Sequence, residues 1–264
     1  MLKLSLQFFV TFLVFFWGSP EPQAKTDQQL AVINVGTSEI PPYFSASMKK
    51  GGALGYSLEK IFAQIGYKPV VHYVSWNRAK IMAEKGEIDC YAPTINNDLL
   101  PGFKFFQTAS KVPWVIIQRK KNPIEWQNLN DLYKYKVGRV LGYYLRDEER
   151  KIYTHGVDVQ NTTDNSKNLL MVATGRIDYA VIDPVVFSFL VQTDPTLIPH
   201  KDKLEINKRP LSYSDYGIAI RDTEKLNTLK KHFLNPQTIE KLNGYATEYL
   251  KNKNYVQNFK LQAK

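Results

Sequence analysis

Ala83-Glu84-Lys85-Gly86-Glu87-Ile88-Asp89-Cys90-Tyr91-Ala92 recurs in altered form as Val172-Ala173-Thr174-Gly175-Arg176-Ile177-Asp178-Tyr179-Ala180-Val181-Ile182. In both stretches an amphipathic segment ends in glycine, a charged residue follows, and Ile-Asp leads into an apolar run. Each reads as a helix closed by a glycine, which alone takes positive φ cheaply, followed by a buried strand. Met82 and Met171 stand at the same offset before the glycine, on the face that would pack against a sheet. Two copies of one helix-turn-strand unit predict two similar α/β lobes with a cleft between them. A chance repeat of a common turn is the competing reading.

Outward from the first copy, Leu30 to Gly36 reads as a β-branched strand, followed by the turn Glu39-Ile40-Pro41-Pro42-Tyr43-Phe44. Leu58, Ile61, Phe62 and Ile65 have helical spacing, and Gly66 closes that helix. Val70 to Val74 is a strand, Trp76 to Lys85 a helix, and Ile88 to Ile95 a strand. The alternation restarts with a strand at Trp114 to Gln118 and another at Lys136 to Val140. A helix over Gly142 to Tyr153, a strand at Val157 to Gln160 and a helix over Asp164 to Thr174 precede the second copy of the repeat. A helix from Pro184 to Val191, a strand at Tyr216 to Ile220 and helices at Thr223 to Phe233 and Pro236 to Lys251 complete the reading. Strands alternating with helices predict a mostly parallel sheet covered on both faces.

Lys3, the apolar run Leu4 to Trp17 and the small residues that follow have the layout of a secretory signal peptide, with cleavage expected near Ala24. An exported protein in the periplasm is therefore expected. Cys90 is the single cysteine and sits within a strand, where a lone thiol serves as a small buried hydrophobe. The net charge of +10 raises a nucleic-acid reading, but the lysines are scattered and no basic helix or aromatic RNA-binding motif occurs. The charge reads as a soluble surface, or as a field that attracts an anionic ligand.

Motifs for catalysis are absent. The four histidines never fall at helical metal-site spacing, and no nucleophile elbow, phosphate-binding loop or dinucleotide fingerprint occurs. Glu148-Glu149 lies in a charge run expected to be solvated. Binding is favoured over catalysis, with no cofactor and no metal expected.

Read in order, Gly36-Thr37, the Pro-Pro-aromatic turn, Gly55-Tyr56-Ser57-Leu58-Glu59, Trp76-x-Arg78-Ala79 and Gly86-Glu87-Ile88-Asp89 resemble one family. Val137-Gly138-Arg139-Val140-Leu141-Gly142 and Gly175 to Asp183 continue the pattern. The chain resembles the family 3 extracellular solute-binding proteins, the polar-amino-acid type of periplasmic receptor. The resemblance implies a two-lobed periplasmic-binding-protein type II fold with two crossing segments, near Val112 to Val115 and Tyr213 to Gly217. It divides the chain into a signal peptide (1–24), a discontinuous lobe 1 (25–113 and 216–264) and a lobe 2 (114–215). It also implies a small-molecule ligand, a membrane permease or sensor as partner, and a monomer.

Carried over residue by residue, the resemblance names Glu39, Tyr43, Trp76, Arg78, Thr94, Asn96, Gly142, Tyr143, Tyr144 and Asp183 as ligand-binding. The sequence departs from the family twice. The arginine that would clamp an α-carboxylate has no counterpart, since its slot falls within Leu99-Leu100-Pro101 and no arginine stands between Arg78 and Arg119. After Gly142, Tyr143-Tyr144 replace small hydroxyl residues. Arg78, with no acid three or four residues away, is either a replacement anion anchor or a surface arginine. Trp76 is a stacking wall or ordinary packing, and Thr94 and Asn96 face the ligand or cap a turn. Asp183, just before Pro184, caps a helix, accepts a ligand ammonium, or both. Tyr91 reads as core. A dehydratase-like enzyme on the same scaffold and a degenerate receptor with a protein partner are the alternatives.

Overall fold

The computed structural model describes residues 30–252; the apolar leader, its cleavage region and the tail after 252 lie outside the described residues. The first half comprises β1 (Ala31–Thr37), α1 (Gly52–Gln64), β2 (Tyr67–Tyr73), α2 (Trp76–Glu84), β3 (Cys90–Thr94) and β4 (Phe103–Arg119). The second comprises β5 (Val137–Val140), α3 (Asp147–Thr154), β6 (Val159–Thr162), α4 (Asn165–Ala173), β7 (Tyr179–Ile182), α5 (Pro184–Thr193) and β8 (Leu204–Arg221). Two helices, α6 (Asn227–Phe233) and α7 (Pro236–Asn252), return to the first half.

Strand order is β2-β1-β3-β8-β4-β7-β5-β6. Read from its two edges, the sheet is the same arrangement twice: three parallel strands and then one long antiparallel strand. The repeated motif lies in equivalent corners. Gly86 and Gly175 take φ of 83° and 79°, and the next amide donates to Met82 O or Met171 O at 2.9 Å. Each motif aspartate does the same work: Asp89 Oδ2 accepts from the Asn34 amide at 2.8 Å, and Asp178 Oδ2 from the Lys136 amide at 2.9 Å.

The duplication extends beyond the residues that reveal it in the sequence. Arg119, ending β4, donates to Val172 O (2.9 Å) and Ile177 O (2.6 Å). Arg221, ending β8, donates to the corresponding carbonyls of Ala83 and of Ile88, the latter at 2.9 Å. Each guanidinium ties the helix and strand that flank the glycine to the end of a long strand.

Apolar packing divides along the same line. One core gathers Ile33, Val35, Leu58, Ile61, Phe62 and Cys90 with Ile218, Leu229 and Leu242. The other cores gather Val115, Ile117, Leu169, Val172, Ile177 and Ile182, and Ile116, Leu132, Val137 and Tyr179 on the opposite face. α1 buries Leu58, Ile61 and Phe62, as their spacing predicts. Among the described residues no helix is long and apolar enough to cross a membrane.

The crossing segments are themselves strands: β4 and β8 pair along their lengths and join the two halves into one ladder. Pro113 and Pro210 hide this in the sequence, since proline argues against a central strand. Both stand in the irregular middle of the ladder, where the register shifts between Ala109 and Val112 and again after Trp114. The helix expected from Gly142 starts at Asp147. Gly142 has φ 86°, which breaks a helix, and the acidic Asp147, Glu148 and Glu149 suit its first turn.

Candidate ligand site

A cavity of about 530 Å³ opens between the halves, a size typical of small-molecule sites. Its walls come from the turn after β1, the start of α2, the turn after β3, the middle of β4 and β8, the loop before α3, the start of α5 and one face of α7.

Asp183 sits at the start of α5, where Pro184 occupies the first helical turn. Its Oδ1 accepts from the Val185 amide at 2.7 Å and the Val186 amide at 3.1 Å, so the helix cap holds the carboxylate in place. Tyr43, from the β1 turn in the other half, donates its hydroxyl to both carboxylate oxygens at 3.3 Å. Burial pushes the Asp183 carboxyl up to about 6, against the pull of the two amides, the Tyr43 hydroxyl and the Arg146 charge. Burial, reinforced by Asp183, also holds the Tyr43 phenol well above its usual range.

On the first half Trp76 opens α2, and its indole N–H donates to Asp98 at 3.0 Å. Lys80 makes an ion pair with the same carboxylate. Tyr91 lies beneath, fully buried, edge-on to Trp76 at 5.8 Å, with its hydroxyl accepting from the Leu100 amide at 2.8 Å. Tyr91 is core, as its strand position predicts.

On the second half Gly142 turns the chain so that Tyr143, Tyr144 and Arg146 reach the cavity. The Arg146 guanidinium lies over the Trp114 ring, 3.3 Å from its centroid, and makes an ion pair with Glu149. Tyr216 of β8 stands beside Trp114 at 6.3 Å between ring centroids. Glu149 is 5% exposed, which corrects the expectation of a solvated Glu148-Glu149 pair. Burial raises the Glu149 carboxyl and outweighs the opposing charge and hydrogen bonds of Arg146.

Tyr43, Trp76, Tyr143, Tyr144 and Asp183 are thus brought together on the cavity wall. Glu39, Arg78, Thr94, Asn96 and Gly142 are not. Glu39 is exposed, and its carboxylate accepts from the Ala46 amide at 2.9 Å. Arg78 is exposed on the first turn of α2, where its amide donates to the Ser75 cap at 3.4 Å. Thr94 is buried on the other side of β3, because strand alternation presents its neighbours Pro93 and Ile95 instead. Asn96 is exposed in the turn whose last residue, Asp98, does line the cavity. Gly142 shapes the loop without lining it.

The sequence reading missed Trp114, Arg146, Tyr216 and Asp98. Arg146 had one local signal, an arginine two residues beyond the tyrosine pair and three before Glu149. Trp114 and Tyr216 had none beyond their strands, since what places them is the pairing of β4 with β8.

No family model matches the sequence, and no curated protein is similar to it in sequence. Solved structures do match in fold. The ligand-binding core of GluR0 from Nostoc punctiforme in complex with L-glutamate superposes with a TM-score of 0.64 at 16% identity, covering 82% of this chain and 98% of that one. The amino acid ABC transporter substrate-binding protein AbpA from Streptococcus pneumoniae, bound to L-arginine, gives 0.64 at 17% identity over 88% and 98%. The arginine-bound form of truncated ArgBP from T. maritima gives 0.57 at 18% identity over 83% and 96%. The chain has the two-lobed α/β fold of the type II periplasmic binding proteins. The proteins it resembles in fold are binding proteins by name.

Proposed function

We propose that this protein is a solute-binding receptor that closes on a small polar ligand held between its halves. The observation that carries the reading is the cavity itself, walled by both halves and spanned by the Tyr43 hydroxyl and the Asp183 carboxylate. Lobe 1 is residues 30–113 with 216–252, and lobe 2 is 114–215, a division supported by the separate cores. Closure bends β4 and β8 where their register shifts, between Gln107 and Val112, next to Lys111 with φ 50°. Ligand binding draws the halves together because only the closed form offers both walls at once.

Export to the periplasm follows from the leader at residues 1–24, and a membrane permease or sensor is the partner that would read the closed form. A dehydratase-like activity would need a free carboxylate anchor beside an acid. Arg78 and Glu39 lie off the cavity, and Arg146 is already paired with Glu149. Mass spectrometry of solute released from natively purified protein tests the proposal. A stoichiometric small molecule that rebinds wild type, and binds Trp76→Ala at least tenfold more weakly, is expected. Protein that is empty as isolated and binds nothing would overturn it.

A further inference from the structure

The cavity wall has a charge balance unlike the rest of the chain. Of 35 lysines and arginines, Arg146 alone lines it among the described residues. That guanidinium is covered on one face by Trp114 and neutralised by Glu149, with side chains 10% and 6% exposed. The Arg146 charge is thus already balanced by Glu149, whose carboxylate also accepts from the Arg146 amide at 3.2 Å, so a ligand carboxylate would bring a second buried anion to one guanidinium. Asp98 is likewise satisfied, by Lys80 and by the Trp76 indole.

Asp183 differs. Its oxygens meet only neutral donors, two backbone amides and the Tyr43 hydroxyl, and no ion pair reaches it among the described residues. Around the same space stand the rings of Trp76, Tyr143, Tyr144 and Tyr216. Aromatic faces carry negative potential and attract cations, most strongly where water is excluded.

We propose that the cavity selects a compact organic cation without a carboxylate, its ammonium or guanidinium group at Asp183 and its apolar body against the rings. The inference rests on the reading of the protein as a solute receptor and narrows it to one class of solute. A cation seated there also returns the Asp183 carboxyl from about 6 toward the ordinary carboxylate range, so binding strengthens as pH rises from 5 to 7.

Matched pairs that differ only in the carboxylate provide the test: agmatine with L-arginine, cadaverine with L-lysine, and tyramine with L-tyrosine. Each is titrated by calorimetry into the full mature chain stripped of bound solute. In at least one pair the amine is expected to bind at least tenfold more tightly than its amino acid. Asp183→Asn should weaken that amine at least tenfold, and its fold should persist because asparagine caps a helix as well as aspartate does. The inference is overturned if every amino acid matches or exceeds its amine, if no compound binds, or if Asp183→Asn binds the amine as wild type does. A copurifying solute that carries a carboxylate would overturn the cation class and leave the receptor intact. An empty, unresponsive protein would remove both.

Discussion

The Tyr43 hydroxyl donates to the carboxylate of Asp183, 140 residues later in the chain, at 3.3 Å to each oxygen, across the cavity between the two halves. The contact joins a turn of one half to a helix cap of the other. It also opposes, with the two cap amides, the upward push that burial gives the carboxyl of Asp183.

Asp183 should make stability depend on pH. Its folded carboxyl is raised from 3.8 to about 6, mainly by burial, so the native state keeps a proton that the unfolded chain loses first. The stabilisation is fully present below pH 4 and is lost as pH rises through about 6. The loss is about 2–3 kcal/mol at the scale of two pKa units. The other groups facing Asp183 are the Arg146 guanidinium and the phenols of Tyr43 and Tyr216, both of which burial raises above their usual range and so out of that window. In urea unfolding of ligand-free protein, wild type minus Asp183→Asn should fall by that amount between pH 4 and 7. A flat difference would remove Asp183 from the account.

Arg146 and Glu149 should behave as a coupled pair. Arg146→Met leaves a buried, unpaired Glu149 and is expected to cost about 3–5 kcal/mol. Arg146→Met combined with Glu149→Leu should recover most of it. Denaturant unfolding of the four proteins gives the coupling energy, and additive losses would contradict the pairing.

Arg119 and Arg221 should each hold its own half together and be irrelevant to the ligand. Each makes two charge-assisted hydrogen bonds to the carbonyls around its motif glycine. Either alanine substitution is expected to destabilise by about 2–4 kcal/mol, and lysine should restore part of it, because both carbonyl bonds come from one terminal nitrogen and an ammonium carries three donors. Hydrogen exchange should show the loosening of α4 and β7 in Arg119→Ala and of α2 and β3 in Arg221→Ala. The opposite pattern would break the equivalence.

Arg78 and Trp76 separate surface from site. Arg78→Ala should change stability and solute affinity by no more than about 0.5 kcal/mol, as for an exposed residue without partners. Trp76→Ala should weaken solute binding at least tenfold. A large Arg78 effect on affinity would restore it as the anion anchor.

The internal duplication was legible because its cause is local. A positive-φ corner needs glycine, the buried strand after it needs apolar residues, and the aspartate between them caps the neighbouring backbone, so Gly86 to Asp89 and Gly175 to Asp178 carry their structure in their order. Tyr143, Tyr144 and Asp183 were named by the family resemblance, and their places on the cavity wall follow from Gly142 and Pro184 beside them. Arg146 over Trp114, the burial of Glu149 and the opposite fates of Thr94 and Asp98 were not readable. They depend on which strand faces which across the cavity, and that is decided by the long pairing of β4 with β8 through two prolines that local propensity reads as breaks. The chain order alone determined two α/β halves and the corners that build them; the tertiary pairing decided where charge is compensated on the wall between them, because compensation requires partners that only folding brings together.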